Sequence, residues 1–356
     1  MEAKKKAEAE KAMVEGAKCL KTSTFGRWKP DYEAAAAEYE KAATAFRLAK
    51  ALPSAIEALT KASAMHEQFD SGYMAAKHVE TAAFLAGAGG LKDPAKSADL
   101  YEKGAALHQV DGRLENASEA LGKAARVLEG VDNKRAGEIG VAACDLFVDE
   151  LADASELRTL SAIEAHKLVV PLLLRTGQPA TAGAMLRRQA PIHVKVEQPH
   201  NVARCELSAV VAYLSADDFS SAADGCDAAL ARGDGFAATD EAMTAEELLG
   251  AFTAQSEEAL VACVAKPIFE FLDNQISITA RKLTLRSAAC PADRLMSNYT
   301  SNYSGSAAAA SGGAASSAGA SAAAGAGLGQ GTGDFGEEAP EDDTTAALPD
   351  LTDDLT

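Results

Sequence analysis

The sequence predicts an all-α fold, an α-solenoid of antiparallel helix hairpins, and three observations carry that expectation. First, a small-residue octet recurs along the chain: Tyr39–Phe46, Leu59–His66, Val79–Ala86, Tyr101–His108, Leu121–Leu128 and Val141–Val148, with first residues 20, 20, 22, 20 and 20 apart. One helix with its turn takes about 17–20 residues, so two units form a helix–turn–helix repeat of about 40. Second, alanine is abundant and aromatics are only 5% of the chain, a composition suited to closely packed helices and poor for sheets. Third, clusters of Gly, Pro, Asp and Asn fall between the octets and stop each helix.

Taken in order, residues 2–20 read as a first helix, with Met13, Val14, Ala17 and Leu20 at helical spacing after an alternating Lys/Glu/Ala start. The run Thr22–Pro30 breaks it, because Gly26 and Pro30 prevent a continuous helix. Asp31 opens the next helix with an acid opposing the helix dipole. Further starts are expected near Pro53, Ser71, Asp93, Leu114, Asn133 and Asp153, with breaks at Gly87–Pro94, Val110–Gly112 and Glu129–Asn133. Beyond Pro171 the register loosens, although residues 174–189, 202–230 and 245–264 keep a helical period. Residues 266–283 are expected to close the array as a capping helix pair, since a solenoid must cover its last apolar face.

This divides the chain into a helical array with its C-terminal capping bundle at 1–294, a Ser/Gly/Ala-rich linker at 295–336 and an acidic, leucine-containing tail at 337–356. In the linker, 27 of the 30 residues from Ser304 to Gly333 are Ser, Gly or Ala, too little apolar surface to offset the entropy of ordering. Its Gly-rich run lacks the strand and helix that a dinucleotide loop requires.

Net charge is −18, distributed as +4 over residues 1–30, −13 over 31–294 and −9 over 295–356. So acidic a chain lacks the dense Lys/Arg that nucleic acid demands, and that partner class is excluded. The six cysteines, Cys19, Cys144, Cys205, Cys226, Cys263 and Cys290, form no CxxC pair and read as reduced, buried thiols of a cytosolic protein. No run approaches the length of a membrane span, so any membrane contact is expected to be peripheral.

Chemistry is sparse. No GxSxG, HExxH or phosphate-loop motif occurs, and neither catalytic residues nor a cofactor is expected. His66 and His108 share one octet position, as packing residues in a repeat would. His193 and His200 lie seven apart, a spacing that does not make a metal site, so none is expected. What remains is surface. Phe25 and Trp28 share a loop with Lys21, Arg27 and Lys29, a combination suited to an interfacial membrane contact. Packing of Trp28 against the first hairpin is the alternative. The tail places leucines 348, 351 and 355 among acids, in the manner of a short docking motif.

The stretch Phe25–Phe46 (FGRWKPDYEAAAAEYEKAATAF) resembles the N-terminal region of soluble NSF attachment proteins, specifically the gamma type, and Glu115–Asp132 and Lys266–Asn274 are similar to the family as well. The resemblance spans roughly residues 5–285. It implies a TPR-like twisted array capped by a helical bundle, and an adaptor that binds assembled SNARE complexes (syntaxin family) and recruits the ATPase NSF for their disassembly. It implies that Phe25, Arg27, Trp28 and Lys29 contact membrane, that Lys123 and Arg126 face the acidic SNARE bundle, and that Lys167 joins them if one residue is inserted near Pro171. It also implies that Asp353, Asp354 and Leu355 engage NSF, here across some 40 linker residues. The implied location is cytoplasmic, peripheral on vesicle and Golgi/endosomal membranes. The other reading of the repeats is a generic TPR-like scaffold that binds peptides; that would require a regular Asn/Lys clamp, which the sequence lacks.

Overall fold

The computed structural model describes residues 1–22, 28–87, 89–148, 156–233 and 235–285. Among them are fourteen α-helices and no strand. In chain order these are α1 (Glu2–Cys19), α2 (Tyr32–Leu48), α3 (Leu52–Gln68), α4 (Gly72–Ala86), α5 (Pro94–Val110), α6 (Leu114–Leu128) and α7 (Asn133–Asp145). They continue with α8 (Glu156–Arg175), α9 (Pro179–Lys195), α10 (Pro199–Ser215), α11 (Phe219–Ala231), α12 (Asp240–Thr253), α13 (Glu257–Val264) and α14 (Asn274–Ala280). From α1 to α10 each helix packs on its sequence neighbours, as an all-α solenoid requires.

Local chemistry explains the boundaries. The side chains of Asp31, Asp93 and Asp132 accept hydrogen bonds from Ala34, Lys96 and Arg135 N–H, capping α2, α5 and α7. Most turns close on one residue in the left-handed region, at Lys50, Asp70, Lys92, Gly112, Gly130, Gly177, Glu197 and Asp217. The two-residue stretch in the octet spacing thus falls at the turn before α5. The helices approach closely because small residues line their contacts: a Cβ on Gly16 would stand 2.9 Å from the Tyr39 ring.

The core changes character along the array. Between α1 and α4 it is largely alanine, with Phe46, Ile56, Leu59 and Leu85 interleaved. From α8 onward it is built from larger side chains such as Val169, Leu173, Leu207, Leu248, Phe269 and Ile276. Helix α10 is buried on nearly every side, against α9, α11, α12 and α14. A helix apolar all round marks the centre of a bundle rather than one layer of a stack.

Two expectations need correction. The last octet is not wholly helical: α7 stops at Asp145, and Leu146–Val148 form a turn that brings Phe147 into the core. The close of the array is a 3-10 turn, Pro267–Phe271, and the short α14, not a helix pair. Leu272 there is extended and Asp273 starts α14 by accepting from Gln275 N–H. Pro171, beyond which the register was expected to loosen, lies inside α8. It removes one hydrogen bond, and burial of Val169, Val170, Leu172 and Leu173 around it offsets that cost. The start expected near Asp153 lies outside the described residues, as do Cys290, the linker and the tail.

Candidate functional site

Two polar constellations, one repeat apart, interrupt the small-residue core. In each, a glutamate at the second octet position of one helix meets the histidine at the eighth position of the next. Glu80 on α4 accepts from His108 Nε2 on α5 at 2.8 Å, and its other oxygen accepts from Lys123 Nζ on α6 at 3.2 Å. Glu40 on α2 meets His66 Nε2 on α3 at 2.8 Å and His78 Nε2 on α4 at 2.9 Å, and the two imidazoles stack with centroids 4.9 Å apart. The Nδ1 atoms of His66 and His108 are buried without a partner, so in each pair Nε2 is the ring nitrogen that bonds to the carboxylate. Both histidines are buried, as their shared octet position predicts. The carboxylate partners were not foreseen, although the 40-residue spacing of Glu40 and Glu80 carried the signal.

These contacts set local charge. Burial pushes the Glu80 carboxyl up, and the His108 hydrogen bond and the Lys123 charge outweigh it, so its pKa lies below the ordinary value. Burial likewise pulls Lys123 down, but bonds to Glu119 and Glu80 leave its pKa raised. Lys123 therefore shares its charge with two carboxylates of its own chain, at 3.0 Å and 3.2 Å. Arg126, one turn along α6, is exposed and has no acidic partner among the described residues.

Lys123 and Arg126 line one groove of about 740 Å3 with Phe84, Lys92, Tyr101 and Val127. Phe84 is 55% exposed there, an aromatic ring offered to solvent between cations. Lys167 is not part of this groove. It pairs with Glu164 at 2.7 Å and lines a separate cavity of about 330 Å3 with His193, Asn201 and Arg204. Sequence reasoning also missed a largely apolar cleft of about 380 Å3 between α6 and α8, floored by Phe147 and Val169.

At the other end, Trp28 stands 84% exposed in the turn before α2, with Lys29 exposed beside it. Trp28 does not pack against the first hairpin. Phe25, Arg27, Asp353, Asp354 and Leu355 lie outside the described residues. His193 and His200 do not form a pair: His193 is buried against Gln189 and Gln198, while His200 is exposed. Cys144, Cys205, Cys226 and Cys263 are buried free thiols, as expected, and Cys19 is half-buried. Burial pushes Cys144, Cys205 and Cys226 up to about 12 and Cys263 to about 11, so these thiols are poor nucleophiles and metal ligands. Among the described residues no helix is long and apolar enough to cross a membrane.

Comparison with known proteins places this geometry. Residues 2–271 match the family described as soluble NSF attachment protein, SNAP. A gamma-soluble NSF attachment protein of Dictyostelium discoideum is 32% identical over 285 residues, covering 80% of this chain and 85% of that protein. One from Arabidopsis thaliana is 30% identical over 260 residues, covering 73% of this chain and 86% of the relative.

Proposed function

This chain belongs to the soluble NSF attachment protein family, and from that premise we propose that it is an adaptor that binds assembled SNARE complexes and recruits NSF for their disassembly. The observation that carries the reading is the α4–α6 groove. It sets the exposed Phe84 and the edge of the buried Tyr101 among Lys92, Lys123 and Arg126, in a chain whose total charge is −18. Gathering cations beside aromatic rings against the prevailing charge suits an acidic, amphipathic helical partner. Arg126 and Lys92, without an acidic partner among the described residues, supply the available charge; Lys123 adds field while anchored to Glu80 and Glu119. Each exposed ion pair contributes only about 0–1 kcal/mol, so affinity comes from several contacts and several copies acting together.

The adaptor performs no chemistry of its own in this reading. Trp28 and Lys29, with Phe25 and Arg27, rest on the membrane surface, and Asp353, Asp354 and Leu355 engage NSF. Lys167 acts at a second place along the array, because it lies in a cavity apart from the α4–α6 groove. The site of action is cytoplasmic, peripheral on vesicle and Golgi/endosomal membranes. The test is co-sedimentation of NSF with an assembled SNARE complex, with and without this protein, followed by disassembly on addition of ATP and Mg2+. NSF is expected to join the complex only when the protein is present. NSF that stays free would overturn the reading.

A further inference from the structure

We propose that Glu40, His66 and His78 form a divalent transition-metal site, of the Zn2+ class, that staples α2, α3 and α4 together. The three side chains come from three successive helices and offer two imidazole nitrogens and one carboxylate oxygen, all within 4.8 Å of one another. A tetrahedral ion at about 2.0–2.1 Å from each ligand sets its ligand atoms about 3.3 Å apart. To admit it, the two Glu40–His separations, 2.8 and 2.9 Å, need to open by a few tenths of an ångström and the two imidazole nitrogens, which lie within 4.8 Å of each other, need to draw together.

The neighbouring constellation is the reason to expect a cation. There the same glutamate–histidine pair is completed by Lys123, whose ammonium neutralises Glu80. At Glu40 the third member is His78 instead, and no Lys or Arg stands within ion-pair distance of Glu40 among the described residues. The Glu40 carboxylate thus faces two imidazoles where Glu80 faces one imidazole and an ammonium. A divalent ion supplies the missing positive charge. Imidazole and carboxylate together select Zn2+, Co2+ or Ni2+ over Mg2+ or Ca2+.

Access and proton balance are also accounted for. The Glu40 side chain is 38% exposed, so the cluster opens to solvent and a fourth position is left for water. On binding at Nε2 each ring keeps one proton, which moves to Nδ1. His78, which is not fully enclosed, can pass that N–H to water, whereas His66 Nδ1 is sealed without an acceptor. This cost makes the site weaker than one whose every ligand has an outer partner. The inference stands independently of the adaptor role.

The test uses the full chain, ZnCl2 and CoCl2, and the variants His78→Ala and Glu40→Gln. The expected result is one Zn2+ per chain by calorimetry or equilibrium dialysis, weakened more than about tenfold in each variant, the least expected when a direct ligand rather than an outer partner is lost. Binding should strengthen as pH rises from 5.5 to 7.5, since the ligand nitrogens must be unprotonated. Bound Co2+ should show visible bands without thiolate charge transfer. Far-UV circular dichroism of the metal-free variants separates lost ligation from lost fold. Affinity unchanged in both folded variants, a thiolate–cobalt band, or affinity indifferent to pH would each overturn the proposal.

Discussion

Replacing Glu80 by alanine tests whether the buried Glu–His–cation constellations hold the array together. The substitution leaves the Nε2–H of His108, a side chain with no exposure, without an acceptor, and its Nδ1 has none to begin with. An orphaned buried donor costs about 1–3 kcal/mol. Lys123 loses one of two carboxylates but keeps Glu119, so its share is smaller. A loss of about 2–3 kcal/mol is expected, which lowers the Tm of a domain of this order of size by roughly 5–10 °C. Glu80→Gln, whose amide oxygen still accepts from His108, should lose about 1 kcal/mol, near the value of one ordinary hydrogen bond.

The pH dependence follows from the lowered Glu80 pKa. Its contribution is present above the unfolded value of about 4.5 and is lost as pH falls through the lower folded value. The gap between the parent and Glu80→Ala should therefore be full at pH 7 and close in acid below about pH 4.5. Urea titrations monitored by circular dichroism at pH 7 and at several acid values read both effects. A gap under about 0.5 kcal/mol at pH 7, the range of ordinary surface substitutions, would refute the reasoning.

Reversing Arg126 to Glu together with Lys92 to Glu should weaken SNARE-complex capture about fivefold or more per adaptor, at up to roughly 1 kcal/mol for each lost pair, and leave helicity unchanged in circular dichroism. Trp28→Ser should reduce flotation with anionic liposomes without moving the urea midpoint, because an 84%-exposed ring contributes nothing to the core. Lys50→Gly should stabilise the array by about 1 kcal/mol by relieving a left-handed residue, and Gly112→Ala should destabilise it by a similar amount, both read as shifts in urea midpoint. His166 and His193 are held below their ordinary pKa, chiefly by burial, so the unfolded chain binds more protons than the folded one as pH drops from about 6.5. Stability should decline over that range, and His166→Gln should flatten the decline if it folds.

Much of the array was legible because its signals are local. The octet spacing, the caps at Asp31 and Asp93 and the turns between helices each depend on residues within a few positions of one another. Where the reading slipped, a distant partner decided the outcome. The last octet leaves the helix at Asp145, because Phe147 turns into a core built from distant side chains. The expected capping pair shrank to a 3-10 turn and a two-turn helix, since α10 already supplies the bundle's apolar centre. The candidate groove was half visible: Lys123 and Arg126 are neighbours on one helix face, while Phe84, Lys92 and Tyr101 join them only through packing.

The sequence by itself determined the repeat, the helical class, the family and the uneven distribution of charge, all of which reside in spacing and composition. Tertiary structure alone decided which charges are already committed. Glu80 captures Lys123 across 43 positions, Arg126 is left without an acidic partner among the described residues, and Glu40 gathers two histidines from 26 and 38 positions away. A buried carboxylate must find its donors wherever the packed helices bring them, so its partners are set by the stacking of the hairpins and not by any local motif.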